Sequence, residues 1–322
     1  MCVRNAPSTQ AFGSRMMLYI SRSRSRTAFK DLLGNANHLI ITALVGLDAV
    51  ERGIVTEVPA DLRAAWSPKN AEVSAKRSRR LLLDMALIRA IDAVDVYLRE
   101  AVRKPALIQS SEFRRDLDSA GLSIFKKLQA VERHLPDLDK LPLAIVFLMV
   151  AWRNRSAHSE ADLDAPQQHL DVLQDKAIEL SDRFRGLDAE MLLGGYEAVR
   201  PTTFKEVASL INAAHHLVAE LDARLLEAID VERFLKDAIW ASLGSSRRPN
   251  ELIEQTRMRR AVSVWGKDPV NRPKAVLRLL NQLGLSLSAP RPPTGAVVAD
   301  TILKFLHDQT PKSILAWSQP SG

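Results

Sequence analysis

Along most of the chain apolar residues return every three or four positions, the period of an α-helix, and strict alternation is scarce. HLIITALVGLDAVERG (38–53) has apolar residues at 39, 40, 43, 44, 47 and 50 and stops at Gly53. A loop with Pro59 and Pro68 follows to about residue 70. Residues 72–103 predict the strongest helix. Its polar positions Asp84, Arg89, Asp92, Asp95 and Arg99 form a narrow wet stripe on a surface otherwise built for burial. Asp95 and Arg99, four apart, can pair on one face, while Asp84 or Asp95 could instead face a functional site. Further helices are predicted over 111–134, 141–157 (opening at Leu141-Pro142) and 166–185. Gly194-Gly195 reads as a linker. Beyond it, 202–244 reads as one amphipathic helix or a hairpin of two. A basic stretch (245–291), a stiff APRPPT loop (289–294) and a last helix in AVVADTILKFLHD complete the chain.

The expected fold is therefore all-α, an antiparallel helical bundle over 31–192 followed by a second helical block over 200–322. With 46% apolar and 26% charged residues, the 322-residue chain has material for a sizeable core. The most apolar run, LPLAIVFLMVAW (141–152), has the length of a buried core helix. No apolar run reaches the ~18 residues of a membrane span, so no membrane partner is expected. The one cysteine, Cys2, excludes an internal disulfide and a Cys-based zinc site and fits a reducing, cytoplasmic setting.

Net charge is +7 and uneven. Residues 1–30 hold six basic and no acidic side chains; with SRSRSR inside, they are expected to form a disordered basic tail. The same composition suits a transit peptide, an RNA-touching arm or a mis-assigned start. Residues 245–291 hold ten Lys or Arg against three acids. There Arg247, Arg248, Arg257, Arg259, Arg260, Lys267, Arg272, Lys274 and Arg278 surround Trp265, a pattern suited to single-stranded RNA or to a solvated face with Trp265 in the core.

WRNRSAHSEADL (152–163) closes the most apolar run with chemistry. Arg153 offers a permanent planar fork of donors that suits phosphate oxygens. His158 can take or give a proton near neutral pH, and Asn154 can orient either. Arg153 and His158 lie roughly 140° apart on a continuous helix, so they converge only if the helix ends there or a second subunit completes the site. The plainer reading is that both cap the helix C-terminus, where cations complement its dipole.

An apolar helix, then Arg-Asn, then His five residues after the Arg, resembles the HEPN superfamily (higher eukaryotes and prokaryotes nucleotide-binding domains). The resemblance covers roughly residues 32–190. It implies metal-independent RNA cleavage, with no cofactor, at a site composed by two protomers. In such a site a ribose 2′-hydroxyl attacks the adjacent phosphate. His158 would move the proton, Arg153 would stabilise the transition-state charge and Asn154 would hold the histidine or a phosphate oxygen. It also implies a homodimer, a role as a toxin or antiviral abortive-infection effector, and restraint by an antitoxin or sensor protein. In one HEPN subgroup an antitoxin adenylylates a tyrosine two residues after the histidine; here that position is Glu160, which puts such control in doubt. Members of the superfamily also bind without cutting, so a non-catalytic helical adaptor for nucleic acid or protein is the alternative, and a nucleotide-ligand sensor a third.

Other candidates are thin. His215-His216 with Glu220 falls short of a metal site, and Asp162 and Asp164 are two loop carboxylates. His38, His134, His169 and His307 are isolated and read as surface or boundary residues. No phosphate-binding glycine loop or nucleophile elbow occurs.

Overall fold

In the computed structural model, residues 18–20, 23–55, 70–157, 164–286 and 296–320 are described. The loops holding Pro59 and Pro68 and the 289–294 stretch lie outside them. The described chain is mostly helical, as the pattern predicts, with three short strands. It divides into a bundle unit, Arg22–Ile229, and a small unit made of Met1–Ser21 with Asp230–Gly322.

The bundle unit runs α1 (Arg24–Glu51), α2 (Ala71–Val102), α3 (Ser111–Ser119), α4 (Ile124–His134), α5 (Lys140–Ala157), α6 (Gln167–Asp175), α7 (Ala177–Arg183), α8 (Ala189–Glu197) and α9 (Phe204–Glu227). Helix α5 is its axis. Leu141 and every residue from Leu143 to Trp152 are buried. Being apolar all round, the helix needs neighbours all round, and α2, α4, α6 and α9 supply them. Burying each large side chain of α5 contributes about 1.5–3 kcal/mol relative to exposure. The predicted 111–134 helix is broken at Gly121, whose φ of +56° ends α3 in a turn that a side chain would strain.

Helices α1 and α2 form an antiparallel hairpin. At one end Arg79 of α2 reaches Asp48 (3.3 Å) and Glu51 (3.6 Å) near the end of α1. At the other, Tyr97 of α2 and Ser23 at the start of α1 meet the same carboxylate, Asp222 of α9. Away from that anchored end the hairpin is poorly covered. An 18-residue window of α1 has mean hydropathy 1.3 and is only 13% buried, so by length and composition α1 could cross a membrane. Leu39, Ile41, Val45, Leu81, Met85 and Ile88 are exposed along the two helices.

Two expectations are corrected here. Residues 1–30 are not all an unfolded tail, because Leu18–Ile20 is a strand and α1 begins at Arg24. In SRSRSR the serines Ser23 and Ser25 turn inward while Arg24 stays exposed. Ser23 caps α1 by accepting from the Arg26 amide, and its own amide and hydroxyl donate to buried Asp222. Phe29 and Leu33, both buried, then fasten the first turns. The second correction is the domain boundary. Gly194-Gly195 is not a linker but part of α8, and α9 belongs to the bundle. A Cβ on Gly195 would lie 2.5 Å from Cζ of Arg200, whose guanidinium is clamped by buried Glu206 in the first turn of α9. That glycine serves close packing, and the chain divides after Ile229 instead.

The small unit contains β1 (Leu18–Ile20), α10 (Val231–Leu243), α11 (Ile253–Trp265), α12 (Arg272–Gln282), β2 (Leu285–Ser286), β3 (Ala296–Val298), α13 (Asp300–Asp308) and α14 (Pro311–Ser318). Strand β1 is central and antiparallel to both neighbours, pairing Tyr19 with Ser286 on one side and with Val297 on the other. Strands of two or three residues are too short to show alternation in sequence. Trp265, Leu235, Ile239, Leu280, Leu306 and Ile314 form its core.

Candidate functional site

The Arg153–His158 stretch straddles the end of α5. Trp152 is its last buried residue, and Arg153, Asn154 and Arg155 are half-buried where the helix leaves the core. The helix continues through Ala157, so Arg153 and Asn154 occupy its final turns. His158, Glu160 and Asp162 lie outside the described residues.

Arg153 and Arg155 sit two apart and have opposite surroundings. The Nε of Arg153 is buried without a hydrogen-bond partner, and among the described residues no carboxylate pairs with its guanidinium. Arg155 is fully engaged. Its Nε and terminal nitrogen both reach Oδ1 of Asp164 at 2.8 Å, and a third nitrogen donates to the Tyr196 carbonyl at 3.2 Å. Its Cζ lies 4.1 Å over the Tyr196 ring. The Tyr196 hydroxyl in turn accepts from the Ala165 amide at 3.0 Å. Arg155 holds the Asp164 carboxyl below the usual range, and burial pushes the Tyr196 phenol up. Arg155, Tyr196 and Asp164 thus tie together the two ends of the segment that carries His158. The sequence reading passed over Arg155, whose only signal was an arginine nine residues before an aspartate.

Two of the candidate carboxylates, Asp95 and Glu220, are committed elsewhere. Asp95 pairs with Arg99 at 2.9 Å, as the four-residue spacing predicts, and also takes Lys127 at 2.6 Å. Glu220 accepts from the Asp139 amide ahead of α5 at 3.0 Å. Among the described residues no three His, Cys, Asp or Glu side chains cluster as a metal site would need. His169 is not a surface residue: it is buried and stacked on Phe147 of α5 at 4.1 Å, and desolvation pushes its pKa down. His134 stacks on Phe113 at 4.6 Å and lies 2.9 Å from Asp116. His215 is half-buried edge-on to Phe29, and His216 is exposed.

The basic stretch needs one correction. Trp265 cannot stack on a nucleic acid, because it is buried and its indole N–H donates to the Leu306 carbonyl at 2.8 Å. It follows buried Ala261 by one turn on the inward face of α11. Arg259 is a bidentate partner of Glu251 at 2.8 and 2.9 Å and holds that carboxyl down to about 2. Arg247 and the Arg248 amide bond the same glutamate residue, and Arg272 donates to the Lys267 carbonyl at 3.2 Å. Lys267, Lys274 and Arg278 are exposed and Arg260 is half-buried. Arg257 lies 3.8 Å over the ring of Trp240, an aromatic outside the basic stretch.

The charge divides with the fold. The bundle unit holds 29 Lys or Arg against 30 Asp or Glu, a net −1, and the small unit 16 against 8, a net +8. No family model, curated protein or solved structure matches the chain.

Proposed function

We propose that the chain is a metal-independent endoribonuclease of HEPN type, acting in the cytoplasm as a toxin or antiviral abortive-infection effector. The observation that carries the reading is Arg153. Its Nε is buried without a hydrogen-bond partner and, among the described residues, no carboxylate pairs with it; it stands at the end of the most buried helix, in a sequence that continues Asn154 and His158. A fixed cation in a half-buried place costs desolvation and supplies no ion pair in return, which suits a group waiting for a phosphate. In the reaction, a ribose 2′-oxygen attacks the adjacent phosphorus while His158 takes its proton. The bond to the 5′-oxygen breaks and that oxygen takes up a proton from solvent, leaving a 2′,3′-cyclic phosphate, a 5′-hydroxyl and a protonated His158. Arg153 stabilises the doubly charged phosphorane-like transition state.

One Arg–His pair per chain calls for a second copy to complete the site. Helix α2 supports that requirement. Leu81, Met85 and Ile88 form an exposed stripe, with Arg77 and Asp92 beyond its two ends. A two-fold axis across Met85 sets Leu81 of one copy against Ile88 of the other and Arg77 against Asp92. The stripe is therefore self-complementary in shape class and charge.

The test is incubation of labelled RNA with the protein in EDTA, beside Arg153→Ala and His158→Ala. Cyclic-phosphate ends that vanish in both variants support the enzyme. The second reading, a non-catalytic adaptor, has Arg153 complementing the α5 dipole. RNA binding that survives both substitutions, with no form cutting, selects it.

A further inference from the structure

The small unit carries a row of rings and cations outside the predicted basic pattern. Arg233, Lys236 and Trp240 lie at i, i+3 and i+7 on α10 and so share one face. Lys236 Nζ is 5.3 Å from the centre of the Trp317 ring on α14. Phe305 of α13 packs against the same indole, ring centres 5.3 Å apart and tilted by 51°. The guanidinium carbon of Arg257 on α11 lies 3.8 Å over the Trp240 ring. Cations from α10 and α11 and rings from α10, α13 and α14 thus lie in successive contacts.

These rings are not spent on the core. Phe305 is 39% exposed, and Trp240, Trp317, Lys236 and Arg257 are half-buried, whereas Trp265 is fully enclosed. Arg257 also stands apart from its neighbour Arg259. Glu251 grips Arg259 with both oxygens, while the Nε of Arg257 is buried with no hydrogen-bond partner. A guanidinium over an indole, with no carboxylate partner among the described residues, remains available to a planar ligand. Asp237 follows Arg233 by four residues on the same helix, and Glu232 holds Lys236 Nζ at 2.9 Å. The Glu232–Lys236 pair is partly exposed and four residues apart, the kind a phosphate displaces readily. The surrounding unit's net +8 favours a polyanion.

We propose that Phe305, Trp317, Lys236, Trp240 and Arg257 form a binding site for single-stranded nucleic acid. Unpaired bases stack on the Phe305–Trp317 pair and on the outer face of Arg257, and Lys236 and Arg233 meet the phosphates. Stacking needs a base face that a duplex hides, so the site selects strand state and not sequence. It extends the ribonuclease reading by naming where the RNA chain is held, and it stands or falls separately from cleavage.

The test uses the full-length His158→Ala protein in EDTA, so that no strand is cut. Fluorescence anisotropy is followed with labelled 12-residue oligouridine, oligothymidine and a mixed-sequence duplex of the same length. Both single strands should bind alike and at least tenfold tighter than the duplex. Adding Arg257→Ala or Phe305→Ala should weaken binding about tenfold each, the loss of one stacked base. Arg257→Lys, which keeps the charge and loses the plane, should weaken it nearly as much. Lys236→Ala should reduce the slope of log affinity against log salt by about 0.7. Far-UV circular dichroism checks that each variant is folded, and the lysine and alanine substitutions at half-buried Lys236 and Arg257 leave the core intact. Unchanged affinity in folded Arg257→Ala and Phe305→Ala overturns the site. So does a duplex bound as tightly as the strands, or polyglutamate competing equally, which would assign the row to an acidic protein. Wild-type cleavage with these affinities unchanged would sink the row and leave the ribonuclease. Strand binding that needs the row, with no cleavage by wild type, would do the reverse.

Discussion

The bundle unit and the small unit solve the placement of cations in opposite ways. In the bundle, basic and acidic residues are nearly equal in number, and several of its arginines are held by carboxylates. Arg155 takes Asp164, Arg183 takes Asp139, and Arg200 takes Glu206. Arg153, by contrast, has no carboxylate partner among the described residues. In the small unit acids are outnumbered two to one, Glu251 alone serves Arg259 together with groups of Arg247 and Arg248, and unpaired cations are ordinary. A free cation is therefore informative only relative to the local supply of carboxylates.

The sharpest way to break the comparison is to unfold one unit without the other. Phe147→Ala empties the centre of α5 and should cost the bundle about 3–5 kcal/mol. Trp265→Ala should cost the small unit a similar amount and also orphan the Leu306 carbonyl. Differential scanning calorimetry should show two transitions, with each substitution lowering one. A single transition lowered by both would mean the units are one cooperative block.

Next in size is the contrast inside α5. Arg153→Ala should reduce RNA cleavage by about 10²–10³-fold, as loss of a transition-state charge partner does. Its effect on stability should stay within about 0.5 kcal/mol, because it breaks no ion pair among the described residues. Arg155→Ala should show the converse emphasis. It removes an ion pair, a carbonyl bond and a ring contact, and should lower stability by about 1–2 kcal/mol. Equal losses of activity and stability in both variants would erase the distinction. A third contrast is on the surface. Leu81→Asp with Met85→Asp should convert a dimer to a monomer in light scattering and abolish cleavage while leaving the melting profile nearly unchanged. A wild-type monomer at micromolar concentration would remove the composite site altogether.

The parts legible in the sequence were those whose cause is local. The continuous apolar run made α5 a core helix, the four-residue spacing paired Asp95 with Arg99, and periodicity gave the mostly helical fold. What escaped depends on partners far along the chain. The start of α1 is stabilised by Asp222, 199 residues from Ser23. The unit boundary at Ile229 is bare of glycine and proline, while Gly195 is glycine because Arg200 occupies the space of a Cβ. Composition found the basic stretch but left Trp265 open between an RNA path and the core; burial puts it in the core, and only packing reports that. Arg153 and Asn154 were named from the motif, but that Arg153 is unpaired and Arg155 is not could come only from where Asp164 and Tyr196 lie.

The smallest effects separate two aspartates by the sign of their pH dependence. Burial raises the pKa of Asp222 above its ordinary value despite the Ser23 bonds. Its folded form binds a proton more readily than its unfolded form, so ionisation costs stability at neutral pH. Stability should rise as pH falls through the raised pKa toward 3.8. Asp222→Asn, which keeps an acceptor for Ser23, should remove that rise. Asp164 is the reverse. Arg155 lowers its pKa, so its stabilisation is present above 3.8 and is lost as pH falls through the lower folded value. Because Asp164 is largely exposed, that loss should be under about 1 kcal/mol. Hydrogen exchange read between pH 3 and 6 should then show the ends of the 158–163 segment opening as acid is added, while the Ser23 end of α1 tightens. If both ends loosened together, Asp222 would be acting as an ionised anchor like Asp164, and the difference between a buried carboxylate and an exposed one would not govern this bundle.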